Sequence, residues 1–133
     1  MDETIRRSSV ICEFEIPIIT YSPNHSKMNP QSRGGKIAKS KLIADTRNLF
    51  ASSVRNRLDA CSHGYKITLT RVSVKLLDDD NVQGALKPVR DGVADGLGLA
   101  SDRQSGKLSW DYQQARGPMG YYGVRVRIEA ITT

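Results

Sequence analysis

Residues 65–102, YKITLTRVSVKLLDDDNVQGALKPVRDGVADGLGLASD, run from a strand through an acidic knot into a helical region. Tyr65 to Leu77 alternates as a strand. Its apolar phase changes from Ile67 and Leu69 to Val72, Val74 and Leu76. Such a slip predicts either a bulge or a strand buried on both faces. A second, shorter helix is expected between Asn81 and Gly96, with Gly96 and Gly98 ending it. Pro88 cannot sit deep in a helix without removing a hydrogen bond. The helix proper therefore either starts near Ala85–Lys87 or kinks at Pro88.

Outward from this segment the organisation is legible. Val10 to Ile19 is β-rich and reads as a strand. Tyr21 to Gly35, with Pro23 and Pro30, is too long for a tight turn, which makes it a candidate functional loop. Lys36 to Ala60 carries a helical stripe of Leu42, Ile43, Leu49, Phe50, Val54 and Leu58. His63-Gly64 reads as its stop. Lys107 to Gln113 is expected as a strand with Leu108, Trp110 and Tyr112 on one face, where core packing is their expected role. Gly117-Pro118 and Gly120 make a turn. In Tyr122 to Ile131, Val124, Val126, Ile128 and Ala130 face one way and Arg125, Arg127 and Glu129 the other. The order β-α-β-α-β-β predicts an α+β fold, with two helices packed on a small mixed sheet.

At 133 residues the chain reads as one domain, residues 10–133, behind a loose polar tail, 1–9. That length buries a core without disulfides or structural zinc. Cys12 and Cys61 are isolated and read as buried or unpaired thiols of a reducing cytoplasm. No stretch approaches the roughly 20 apolar residues of a membrane span. Arg6 and Arg7 precede an apolar run interrupted by Glu13 and Glu15, a poor signal peptide. No internal repeat or low-complexity segment stands out.

Charge carries the functional signal. Residues 78–102 hold six of the fourteen acidic residues and two basic ones, Lys87 and Arg90. The chain as a whole is +6, so the window is −4 and the remainder +10. A basic protein attracts polyanions, and an acidic knot within it repels them unless cations sit there. The combination suggests a metal-dependent site acting on a phosphate backbone. If 78–80 end a strand, Asp78 and Asp80 project to one side and offer oxygen ligands to Mg²⁺. Asp102 could close the site from a loop. The alternative is a polar turn with a helix N-cap at Asp80 or Asn81. The glycine and terminal Glu of an EF-hand loop are missing. Residues 27–57 carry Lys27, Arg33, Lys36, Lys39, Lys41, Arg47, Arg55 and Arg57 against Asp45 alone. This +7 is read as a phosphate-contacting face, with Arg125 and Arg127 as a possible extension, against the alternative of a merely solvated helix. His25 and His63 lack ligand-spaced partners and do not read as zinc ligands.

The run DDDNVQGALKPVRDGVADGLGLASD resembles the signature of the RusA-like crossover junction endodeoxyribonucleases, enzymes often carried by phages and prophages. The family pattern is Asp-x-Asp-Asn, a Lys, an Asp four residues after it and a last Asp eleven further on. Asp78, Asp80-Asn81, Lys87, Asp91 and Asp102 match it. Ser22-Pro23-Asn24 is similar to the family's N-terminal loop, and a basic helix follows. One departure stands out: the family's Lys comes three residues after the Asn, where this chain has Gly84. Three residues are nearly one helical turn, so Lys87 is expected on the same side, displaced along the axis.

The resemblance implies an Mg²⁺-dependent nuclease, with Mn²⁺ as a substitute, that cuts branched DNA such as four-way junctions as a homodimer. Asp78, Asp80 and Asp102 would hold the metal, and Lys87 would contact the phosphate. Asn81 and Asp91 would support them from behind, Asp91 by an ion pair with Lys87. Lys27, Arg33, Lys36, Lys39, Lys41 and Arg47 would track the DNA. The alternatives are a DNA-binding protein of this fold that does not cleave, and a nuclease acting on flaps or forks.

Overall fold

A computed structural model describes residues 7–57, 64–98 and 108–132. It contains β1 (Arg7–Ile16), a 3₁₀ turn (Ser26–Met28), α1 (Arg33–Arg55), β2 (Gly64–Ser73), α2 (Asp79–Ala85), α3 (Lys87–Gly96), β3 (Leu108–Arg116) and β4 (Gly123–Thr132). The strands form one mixed sheet in the order β1-β4-β2-β3. β4 is antiparallel to both β1 and β2, while β3 runs parallel to β2. The fold is α+β.

Each boundary has a local cause. Pro17 has no N–H for the ladder, and β1 stops at Ile16 rather than Ile19. α1 starts at Arg33, before Lys36, because Ser32 caps it: the Ser32 hydroxyl accepts from the Gly35 N–H at 2.9 Å. β2 stops at Ser73, not Leu77, where the Ser73 carbonyl accepts from Gly117 N–H and its hydroxyl from Lys75 N–H. The expected second helix is two helices broken at Leu86, whose backbone leaves helical geometry (φ −93°, ψ 2°). Pro88 then lies in the first turn of α3, where its missing N–H costs nothing. α1 ends at Arg55 with Asn56 as its C-cap, short of the expected Ala60 and of a stop at His63-Gly64, and Gly64 opens β2. Ala60 and His63 themselves lie outside the described residues.

The alternation of β4 fixes the layers. Val124, Val126, Ile128 and Ala130 are buried on the helix side. They meet Phe14 and Cys12 of β1, and Ile67 and Leu69 of β2. Phe50 and Val54 of α1, Val82 of α2, Leu86, and Val89 and Val93 of α3 close the core above them. Burial pushes the Cys12 thiol pKa up, partly offset by Arg57. Leu108, Trp110 and Tyr112 are half-buried against this core, as their alternation predicted. The phase slip in β2 is a strand buried on both faces. Its register with β3 and β4 is unbroken, and Val72 on the far side is covered at Gly117. A register shift occurs instead in β1, between Val10 and Cys12.

α3 lies close against α1 because Gly92 and Gly96 present no side chain there. A Cβ on Gly96 would stand 2.6 Å from Val54 Cβ and 2.8 Å from the Ala51 carbonyl oxygen. Among the described residues no helix is long and apolar enough to cross a membrane.

Candidate functional site

The acidic knot is the start of a helix. Asp78 is the N-cap of α2, with extended backbone, and Asp79 and Asp80 fill its first turn. The cap stands two residues before the Asp80 or three before the Asn81 expected from the turn alternative. With β2 ending at Ser73, strand alternation does not set the directions of Asp78 and Asp80. Negative charge at a helix start is favourable, which explains the local conformation. The Asp78 side chain makes no capping hydrogen bond, and all three aspartates are exposed. Exposed carboxylate oxygens are the donor type that Mg²⁺ or Mn²⁺ takes. Among the described residues no group of three or more acidic, His or Cys side chains is gathered around one point. Asp102, the expected third ligand, lies outside the described residues.

Two anchors hold this helix start. Gln114 of β3 grips Leu77 at both ends of its amide: the Leu77 N–H donates to Gln114 Oε1 at 2.8 Å, and Gln114 Nε2 donates to the Leu77 carbonyl at 2.7 Å. Arg71, buried at the end of β2, donates from Nη1 to the Lys75 carbonyl at 3.0 Å and from Nε to Thr20 Oγ1 at 3.1 Å. Desolvation by burial lowers the Arg71 pKa, opposed by Tyr122. Arg71 thus ties the segment before the knot to the loop after β1.

That loop folds over α2. Pro23 fills the space beside Gly84, where an added Cβ would stand 2.9 Å from Pro23 Cδ. Asn24 Nδ2 lies 3.5 Å from Asn81 Oδ1. Asn29 Nδ2 donates to the carbonyls of Pro23 (2.5 Å) and His25 (3.2 Å), and His25 Nδ1 accepts from Lys27 N–H at 3.1 Å. The Tyr21 and His25 rings lie 4.6 Å apart, with the Lys27 ammonium 5.5 Å from the Tyr21 centroid. A side chain at position 84 would collide with Pro23.

Lys87 opens α3 and meets Asp91 one turn on, Nζ to Oδ1 2.9 Å. The ion pair expected from the four-residue spacing is present. Both side chains line a cleft of about 370 Å³ between the loop, α1 and the α2–α3 junction, with Lys39 across it. Asp78 and Asp80 do not line this cleft. On the other side of α2, Asp79, Gln83, Arg90, Trp110, Asp111, Tyr112 and Gln114 line a polar groove of about 640 Å³ along β3. There the Arg90 guanidinium stacks on Trp110 (4.8 Å to the ring centre), and Nη1 donates to the Tyr112 hydroxyl at 2.6 Å. Sequence reasoning missed Arg90 and Asp111 as groove residues. Neither carried a sequence signal: a three-residue offset from Lys87 points Arg90 to the Lys87 side, and Asp111 gave none beyond its place between two aromatics.

The basic residues divide. Arg33 and Lys36 stand exposed in the first turns of α1, Lys39 is half-buried at the cleft, and Lys27 rides on the loop. Lys41 is paired with Asp45 at 2.8 Å. Arg47 is a strut between helices: Nε and Nη2 donate to the two oxygens of Asp95 at 2.5 and 3.0 Å. Its guanidinium holds the Asp95 pKa below the ordinary value, against a smaller opposing effect of burial. Arg125 and Arg127 do not extend the basic face of α1, because alternation places them on the sheet face away from the helices. There Arg125 meets Glu15 and Arg127 meets Glu129, each at 3.1 Å. Tyr121 also donates to Glu15, and these hydrogen bonds lower the Glu15 pKa.

Comparison with protein-family models, with curated proteins and with solved structures found no match to this chain.

Proposed function

We propose that the protein is an Mg²⁺-dependent, structure-specific endonuclease that cuts branched DNA, four-way junctions foremost, as a homodimer in the cytoplasm. One observation carries the reading: the Lys87–Asp91 ion pair stands at the break between α2 and α3, one short helix away from the exposed Asp78–Asp80 start. Asp78 and Asp80, with Asp102, are the residues that would hold the metal. Bound there, it would supply Lewis acidity at the scissile phosphate and a water of lowered pKa. Lys87 presents a cation to the phosphate, where developing negative charge needs it, and Asp91 fixes the lysine's position. Arg33, Lys36 and Lys39 give α1 a basic approach to the backbone.

A second reading, DNA binding without cleavage, is favoured by the Gly84–Pro23 contact, which excludes a lysine from the position the family pattern gives it. A gel assay separates the two. Four-way junction, flap and linear duplex are each incubated with the protein in Mg²⁺ and in EDTA. Mg²⁺-dependent cutting of the junction supports the nuclease. Binding without cutting under both conditions supports the second reading.

A further inference from the structure

The cleft beside Lys87 is concave and mostly apolar, which contact with a duplex backbone does not require. Ile19, Met28, Leu42, Ile43 and Pro88 make its walls, and two ammonium groups join them, Lys39 and the Asp91-paired Lys87. At about 370 Å³ it falls at the lower end of the roughly 300–1,000 Å³ typical of small-molecule sites. Thr46, Asn29 and Asp91 place a few polar groups among the apolar ones. Apolar walls with cations suit a planar base joined to a phosphate. A paired base cannot enter such a recess; an unpaired one can, and it carries its phosphate with it. The surrounding charge is complementary: Arg33 and Lys36 stand exposed in the first turns of α1 and Lys27 on the loop, beside Lys39 of the cleft.

We propose that this cleft takes one unpaired nucleotide of the DNA, its base against Ile43 and Pro88 and its phosphate on Lys39 and Lys87. The inference rests on the reading of the protein as DNA-acting, and it specifies what is recognised: the unstacked base at a branch point rather than the crossing of duplexes alone.

The test uses two duplexes, one fully paired and one with a single unpaired 2-aminopurine, measured by anisotropy and 2-aminopurine emission in EDTA. The wild-type protein should prefer the bulged duplex about tenfold, the fold-change expected from burying one base face against apolar side chains, and the probe's emission should change on binding. Ile43→Trp fills the recess and should erase both effects while leaving affinity for the paired duplex unchanged. Ile43→Phe serves as a milder filling, and melting curves report whether each variant is folded. Equal affinity of the wild-type protein for the two duplexes, with no emission change, overturns the proposal whatever the variants do. So does an Ile43→Trp protein that is folded and keeps the preference. Junction cleavage in Mg²⁺ is scored separately. Cutting without bulge preference removes the nucleotide recess and keeps the nuclease; bulge preference abolished by Ile43→Trp without cutting does the reverse.

Discussion

Adding one methyl group at Gly92 should destabilise the protein, while the same change at Gly34 should stabilise it. Gly→Ala inside a helix gains about 1 kcal/mol from backbone propensity. At Gly92 the new Cβ collides with the Arg47 carbonyl oxygen and lies 3.0 Å from Phe50 Cβ and 3.1 Å from the Arg47 carbonyl carbon. These are backbone and root atoms of α1, which cannot swing aside, so the two helices must separate. Overpacking of this kind costs about 1–3 kcal/mol. Separation also stretches the Arg47–Asp95 strut across the same interface. Less the propensity gain, the sum for Gly92→Ala is a loss of up to about 2 kcal/mol, or up to about 7 °C in Tm for a domain of this size. At Gly34, nothing lies within 4 Å of the added Cβ, and the change should raise stability by about 0.4–1 kcal/mol. Urea titrations followed by far-UV circular dichroism would give both values, with the slope m unchanged. A Gly92→Ala protein stabilised by the full propensity gain of about 1 kcal/mol would refute the close approach of α3 to α1.

Other expectations concern the site. Asp80→Asn should abolish Mg²⁺-dependent junction cleavage while binding in a gel shift is retained; undiminished cutting would remove Asp80 as a ligand. Lys87→Ala should lower single-turnover cleavage about 10²–10³-fold with junction affinity nearly intact, and near-normal turnover would dismiss Lys87 from the chemistry. Reversing Lys36, Lys39 and Lys41 to Glu should weaken binding to all DNA sequences and flatten the slope of log K against log salt; an unchanged slope would make this helix face merely solvated. Acid stability depends on Asp95, whose folded pKa lies below its ordinary value near 3.8. The unfolded chain then binds the proton more readily, so this contribution is complete above about pH 4 and is lost as pH falls to the lower folded value. Asp95→Asn should therefore flatten the acid limb of the Tm-against-pH curve, and an acid limb identical to the wild type would discount the strut.

How much the sequence could say depended on whether neighbours in sequence or neighbours in space decided the matter. Val124–Ala130 was legible because period-2 alternation is local and its two faces meet different solvents. Lys87–Asp91 was legible because four residues make one helical turn. The early end of β2 was not, because Gly117, forty-four residues on, takes the Ser73 carbonyl. Nor was Arg47 as a strut, since its partner Asp95 is 48 residues away; on sequence it was one cation among eight. The acidic knot left two readings, strand end or helix cap; Asp is poor in strands and good at helix starts, and the chain takes the second, with Gln114 gripping Leu77 just before it. The two-face burial of β2 was one of two readings, and the unbroken register with β3 and β4 together with the burial of successive residues decides between them.

The strand order bears on how the chain comes into being. Among the described strands β1 pairs only with β4, and Glu15 finds Arg125 across 110 residues of chain. On the ribosome, β2, the two short helices and β3 can assemble while β4 is still unmade. β1 cannot. Phe50 of α1 can cover Phe14 early, but the backbone edge of β1 must wait unpaired until β4 emerges, and closing so long a loop is slow. An unpaired strand of this pattern is a template for association with other nascent chains. Glu13 and Glu15 on its reverse side give it a charge that discourages such company during the wait, before they take up their places opposite Arg127 and Arg125.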